Sequence, residues 1–379
     1  MITVVLMLLA VSFALSVALT PAVGRVSARL GALDSPGSPG HVKRLRGVPN
    51  TGGVTIVLSI VLPLAGALVA ANVVPEGVVR GWSSSAAAHL PGVRGQTALG
   101  AMLLACLVVL HVVGLIDDRR ALGPWVKLGV MVTAAAGITL WSDTRLLTML
   151  DGPAGGAWLS VVLTVAWIVA ITNALNFIDN MDGLAGGVVV IAGSCFLAAS
   201  VLQGQWFVGA SLALLIGGTL GFLVYNLPPA RIFMGDGGSL VLGFMLAFLT
   251  VRTTYAGSAE GRPDAVVSGA WYALFMPAMI LAVPLYDLVT VSAVRVWRGT
   301  SPLVASPDHL SHRLVRRGLS KPDAVRVIWG LTAVTGLSGT VLGSLRPWQA
   351  GVVGGQFVLV LVLLAWYEWR SPLPPAGEA

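Results

Sequence analysis

The chain has 379 residues, of which 56% are hydrophobic and 10% charged; a water-soluble domain carries about 25% charged residues, so a soluble surface is excluded. The net charge of +7 reads as loops retained on the cytoplasmic side of a membrane rather than as a nucleic-acid footprint. Cys106 and Cys195 sit within apolar runs with no ligand spacing around them, which argues against a disulfide or a cysteine metal site.

A helix needs roughly 20 mostly apolar residues to cross the hydrocarbon core. Eleven such spans are predicted, near 2–20, 53–72, 97–115, 125–141, 156–175, 184–202, 206–224, 238–254, 269–291, 324–344 and 349–367. Gly and Pro within them are tolerated in bilayer helices. The first run lacks a positively charged leader, so it reads as a first transmembrane helix rather than a cleaved signal peptide. The expected fold is an all-α polytopic bundle, one integral membrane domain over residues 1–370, with a disordered Pro-rich tail at 371–379.

An odd number of spans puts the termini on opposite faces. Only Arg80, Arg94, Arg145, Arg252, Arg262 and Arg346 fall on one face, out of 23 Lys and Arg. The rest flank or fill the loops near 21–52, 116–124, 176–183, 225–237 and 292–323 and the C-terminal tail. That asymmetry makes the second face cytoplasmic and turns the N-terminus outward.

Five polar segments interrupt the apolar pattern, all on that face. The first, Lys43 to Gly53 (KRLRGVPNTGG), couples three cations to a Gly-rich helix start; it suits phosphate, and equally suits ordinary positive flanking. The second, Gly114 to Arg120 (GLIDDRR), places Asp117 and Asp118 at the end of an apolar helix. Adjacent acids repel, and a cation or basic group relieves the repulsion; Arg119 and Arg120 could do so at a solvated helix end.

The third segment, Asn173 to Gly187 (NALNFIDNMDGLAGG), carries Asn173, Asn176, Asp179, Asn180 and Asp182. In a helix Asn176 shares a face with Asp179 and Asn180, but Asn173 and Asp182 diverge, so a break near Gly183 is expected. Amides and carboxylates at this density suit Mg²⁺, phosphate or sugar hydroxyls, or polar glue between helices. The fourth, Phe233 to Ser239 (FMGDGGS), sets Asp236 between glycines before a span. Its backbone can approach a ligand, and Asp236 offers a hard oxygen to a metal. The fifth, Ser306 to Leu314 (SPDHLSHRL), offers His309, His312 and Arg313 to a diphosphate or a base. A zinc reading of the His pair lacks further ligands.

Across roughly residues 34–320, these segments in this order resemble the polyprenyl-phosphate N-acetylhexosamine-1-phosphate transferases. That superfamily includes undecaprenyl-phosphate GlcNAc-1-phosphate transferase, its teichoic-acid counterpart and phospho-MurNAc-pentapeptide transferase. Asp117 and Asp118 match its aspartate pair. Asn173, Asn176, Asp179, Asp182 and Gly183 match its Asn/Asp motif. Phe233, Gly235, Asp236 and Ser239 match the motif whose aspartate ligates Mg²⁺. His309 and His312 match part of its histidine motif, and Pro49, Gly52 and Gly53 match the loop before the second span. Two positions depart: Asn180 stands for the usual Gly, and Ser311 for a His of many relatives. The absent triple-His pattern favours the GlcNAc-type branch. Ser311→His is expected to be tolerated.

The resemblance implies transfer of a sugar phosphate from a UDP-N-acetylhexosamine to undecaprenyl phosphate in the bacterial cytoplasmic membrane. Mg²⁺, replaceable by Mn²⁺, is expected on Asp236, with Asp179 or Asp182 as further candidate ligands. Asp117 or Asp118 would act on the lipid phosphate, and Lys43 and Arg44 would bind phosphate. Nucleotide and sugar would fall to Asn173, Asn176, Asp179, Asp182, Phe233, His309, His312 and Arg313. A homodimer is compatible with this reading. The rival from another class is a transporter, whose site would lie near the bilayer midplane.

Overall fold

The structure, a computed structural model, describes residues 1–33, 47–259, 275–301 and 308–370. Lys43, Arg44, the amino-terminal part of the span expected at 269–291 and the tail at 371–379 lie outside the described residues.

Hydrocarbon supplies no partner for backbone N–H and C=O groups, so a spanning segment must close its hydrogen bonds within itself. The described chain is accordingly helical. It runs α1 Ile2–Arg29, α2 Gly52–Val73, α3 Glu76–Trp82, α4 Ser84–Gly95, α5 Thr97–Asp117, α6 Pro124–Ser142, α7 Trp158–Ile178, α8 Leu184–Leu202, α9 Trp206–Asn226 and α10 Asp236–Ala259. It continues with α11 Met276–Ile280, α12 Ala282–Trp297, α13 Leu310–Arg316, α14 Lys321–Val341 and α15 Pro347–Arg370.

Among the described residues, nine helices are long and apolar enough to cross a bilayer: α1, α2, α5 to α9, α14 and α15. Of the other two expected spans, 238–254 falls within α10, a helix of 24 residues. The span expected at 269–291 breaks at Leu281, between α11 and α12. Pro284 has no N–H to offer the carbonyl of Ile280, the bond that would carry one helix into the next. α12 then runs on to Trp297, which places Asp287 and Arg295 on a helix rather than in a loop.

The centre of the bundle is α9 and α10, where Phe222, Phe244 and Phe248 are fully buried. Ser12 and Ser16 of α1 hold it against α9 by donating to the carbonyls of Leu214 and Gly218, each at 2.7 Å. Outward-facing Leu6, Val69, Val109 and Leu363 are exposed. An apolar exterior on this scale is untenable in water and fits a lipid solvent. The protein is a multi-pass membrane protein.

Successive reversals bring the carboxyl ends of α1, α5, α7, α9 and α12 to one end of the bundle. The amino ends of α2, α6, α8, α10 and α14 join them there. At that end α2 and α5 press backbone to backbone against the start of α10. A Cβ on Gly53 would lie 2.4 Å from Gly238 N, and one on Gly114 would lie 2.5 Å from Gly237 Cα. Neither neighbour is a side chain that can swing away. Gly53→Ala should therefore lower stability by about 1–3 kcal/mol, the usual range for overpacking. The check is thermal unfolding in detergent, where an unchanged midpoint would contradict this packing.

Candidate active site

Inside a membrane bundle, the unpaired N–H groups at the start of α10 need acceptors. Asp118 supplies two. Its Oδ1 accepts from Asp236 N at 3.0 Å and its Oδ2 from Gly237 N at 3.2 Å. Gly235 O accepts the next two, from Gly238 and Ser239, each at 3.0 Å. Gly235 has φ 70°, and a Cβ there would lie 2.5 Å from Asp118 Oδ2. Only glycine permits this approach. Asn50 Nδ2 donates to the same carboxylate at 3.1 Å. Burial first, and then the nearby Asp236 charge, push the Asp118 carboxyl up to about 7, against the pull of these donors.

The segment before α10 is also zipped to the start of α2. Gly52 N donates to Phe233 O at 2.8 Å, Gly53 N to Met234 O at 2.9 Å, and Phe233 N to Pro49 O at 2.8 Å. Phe233 is thereby anchored to the start of α2 through its backbone.

Asp117 faces a different set of partners. Lys127 Nζ donates to Asp117 Oδ2 and to Asp236 Oδ2, each at 2.8 Å. Leu122 N donates to Asp117 Oδ1 at 2.8 Å. Asn176 Nδ2 reaches Asp236 Oδ1 at 3.0 Å and Ser239 Oγ at 2.9 Å. The two carboxylates thus converge on one cationic point, with an amide fixing the second. Lys127 was visible in sequence only as a flanking positive charge. Three or more His, Cys, Asp or Glu do not gather into a metal cage among the described residues. A convergent carboxylate pair nevertheless fits Mg²⁺, which takes one or two carboxylates and completes its octahedron with substrate phosphates and water.

The chain breaks between α7 and α8 as the Asn/Asp pattern requires, with Gly183 at φ 76°. The break separates the motif's residues. Asn173 lies one turn further into the bundle and donates to Val169 O at 2.9 Å, on its own helix. Asp182 Oδ2 accepts from Ala230 N at 3.0 Å and so ties this turn to the loop before α10. Buried Asn226 completes that tie, accepting from Gly183 N at 2.9 Å and donating to Ile232 O at 2.8 Å. Asp179 caps the end of α7 and is half-buried.

The histidine segment is latched to α12. Buried Asp287 accepts from His309 Nδ1 at 2.8 Å and from Leu310 N at 2.5 Å. The first bond fixes the ring's tautomer and leaves Nε2 for another partner. Phe177 meets the His309 ring edge-on at 5.8 Å, and Arg295 lies over the Phe177 ring at 5.2 Å. Arg313 is buried, and it donates to Glu368 Oε1 at 2.7 Å, Asp308 O at 2.7 Å and Thr290 Oγ1 at 2.9 Å. Its guanidinium is spent on joining α12, α13 and α15. Burial, and next the charge of His309, hold the His312 imidazole down to about 4, so it is neutral at physiological pH and offers hydrogen bonds rather than charge. Asp287 stands out in the sequence only as an acid inside an apolar run, a pattern that marks function or pairing.

The two departures from the family pattern are in contact. Ser311 Oγ donates to Asn180 Oδ1 at 2.6 Å, and Ser311 is 1% exposed. A His at 311 has no room unless Asn180 yields, so the expectation that Ser311→His is harmless is revised. The single change should cost activity and about 1–3 kcal/mol of stability. The double change Asn180→Gly with Ser311→His should recover most of both. Additive losses in a double-mutant cycle would contradict this coupling.

Residues 100–254 match glycosyl transferase family 4. Over 351 residues the chain is 32% identical to a probable undecaprenyl-phosphate N-acetylglucosaminyl 1-phosphate transferase of Bacillus subtilis, covering 91% of this chain and 86% of the relative. It is 32% identical over 332 residues to a decaprenyl-phosphate N-acetylglucosaminephosphotransferase of Mycobacterium tuberculosis, covering 82% and 75%. It is 30% identical over 281 residues to the undecaprenyl-phosphate alpha-N-acetylglucosaminyl 1-phosphate transferase of Escherichia coli, covering 70% of each. With its family motifs gathered at one end of a membrane bundle, the chain belongs to glycosyl transferase family 4, in the superfamily of polyprenyl-phosphate N-acetylhexosamine-1-phosphate transferases.

Proposed function

We propose that this protein transfers N-acetylglucosamine-1-phosphate from UDP-GlcNAc to undecaprenyl phosphate, at a site facing the cytoplasm. The observation that carries the reading is the convergence of Asp117 and Asp236 on Lys127, with Asn176 holding Asp236. Support also comes from the names of relatives at about 30% identity and from the cationic loops at this end of the bundle.

In this reading an oxygen of the lipid phosphate attacks the sugar-linked phosphorus of the donor. A new P–O bond forms, the P–O bond to the departing UMP breaks, and the product is a lipid diphosphate sugar. Such a transfer calls for positioning and charge neutralisation more than covalent help. Mg²⁺ held by Asp236, with Asp117 as the facing carboxylate, would neutralise the donor diphosphate and the leaving UMP. Lys127, on a flexible stem, brings an ammonium to the incoming phosphate. Asp117 orients that phosphate or takes its remaining proton. Asp118 holds the α10 start in place and is a positioning residue. His309, its tautomer set by Asp287, presents Nε2 to the donor, and Asn176 keeps the Asp236 carboxylate in its working orientation.

The test is UMP release by purified protein with Mg²⁺, undecaprenyl phosphate and a panel of UDP-sugars. UDP-GlcNAc should be the preferred donor. Asp236→Asn should lower kcat by about 10²–10³, the scale for losing one preorganised electrostatic group. Lys127→Gln should raise KM for the lipid phosphate more than for the donor. Full activity of Asp236→Asn at saturating Mg²⁺ would sink the assignment.

A further inference from the structure

α15 is held differently at its two ends. Near its start, buried Ala350 packs with Leu342 and with Met279 of α11, and Val353 and Phe357 lie against them. Further along, its inner side leaves an open apolar groove of about 440 Å³, bounded by Leu314 of α13, Val327 and Leu331 of α14, and Val360, Leu364 and Tyr367 of α15 itself. Val358, Val362 and Trp366, on the opposite side, are exposed. Apolar packing therefore does not fix the far end of this helix. A carboxylate does. Glu368 Oε1 accepts from Arg313 Nε at 2.7 Å, and its Oε2 accepts from the Tyr286 hydroxyl at 2.5 Å. The Glu368 carbonyl accepts from Arg317 Nη2 at 2.5 Å.

The two carboxylate oxygens thus go to two different helices, Tyr286 on α12 and Arg313 on α13. The Glu368 side chain is only 11% exposed. An acid this buried adds little stability that an apolar side chain of its size would not also give, so anchoring α15 does not account for it. What it imposes is geometry. Tyr286 directly precedes Asp287, whose carboxylate holds His309 Nδ1 and Leu310 N. Arg313 lies one turn after His309, and its N–H donates to the His309 carbonyl at 2.9 Å. Thr290 completes the ring, accepting from Arg313 Nη2 at 2.9 Å and donating to the Tyr286 carbonyl at 2.8 Å. The acid that aims the His309 imidazole and the turn that carries it are therefore each one residue or one bond from a partner of Glu368. We infer that Glu368 is a positioning residue of the reaction: it locks α12 to α13 so that His309 holds its Nε2 in place for the donor. This rests on the proposed reaction and adds to it a role for the last helix.

The test separates the two substrates. Glu368→Gln keeps the size of the side chain, but one of the two donors then meets an NH₂ group that cannot accept. It should lower kcat/KM for the UDP-sugar about 10- to 100-fold, the scale on which a small misalignment acts, with a raised KM for that donor. KM for undecaprenyl phosphate should stay within about twofold of the wild type. Tyr286→Phe removes one bond and no bulk, and should raise the donor KM about threefold, the scale of a neutral hydrogen bond. Both changes break the same lock, so the double variant should match Glu368→Gln alone to within about twofold. A purely structural role would instead reduce the folded fraction and kcat, with KM unchanged for both substrates. That result overturns the inference, as does an equal rise in both KM values. If Glu368→Gln does not fold, Tyr286→Phe decides, and an unchanged donor KM in that variant overturns the inference. UMP release by the wild type in the same assay reports separately on the proposed reaction.

Discussion

The arrangement depends on how the first N–H groups of α10 are satisfied. A helix that begins inside a membrane bundle cannot leave them to water, and here Asp118 accepts two of them from the end of α5. That bond sets the distance between α5 and α10. It also brings their neighbouring acids, Asp117 and Asp236, onto a single ammonium. The glycines at 53, 114 and 235 are what let the backbones come this close.

Around this centre the remaining polar residues divide into those that face the site and those that hold its walls. Asp182, Asn226, Asp287 and Arg313 spend their hydrogen bonds on the turns and short helices that frame it. Lys127, Asp117, Asp236 and Asn176 converge on one point. Such walls are what keep a phosphoryl-transfer site in register, since alignment contributes much of the rate. The Asn180–Ser311 bond belongs to the walls and closes the junction between the α7–α8 turn and α13.

Much of this was legible in the sequence. Long apolar runs predict transmembrane helices because the bilayer leaves the backbone no alternative, and the spans at 53–72, 97–115, 184–202 and 206–224 fall on α2, α5, α8 and α9. The break at Gly183 follows from the divergence of Asn173 and Asp182 on a helix. What could not be read was which of two adjacent aspartates caps a helix and which faces the site. Asp117 and Asp118 differ by about 100° around α5, and only the position of α10 tells them apart. Lys127 and Asp287 were obscured because each looks like a routine feature of its own segment, a flanking cation and a lone acid. Their roles arise from contacts 109 and 22 residues away in the chain. Arg313 invited the opposite error, since an arginine beside two histidines suggests a ligand, whereas its partners are Glu368, Thr290 and the backbone.

In the proposed reaction sugar and phosphate move together onto the lipid. This is tested most directly with UDP-GlcNAc carrying tritium in the sugar and radiophosphorus in the sugar-linked phosphate, incubated with the purified protein, Mg²⁺ and undecaprenyl phosphate. Both labels should enter the lipid fraction in equal amounts, with UMP released in step. Entry of the sugar label alone, with UDP released, would contradict it.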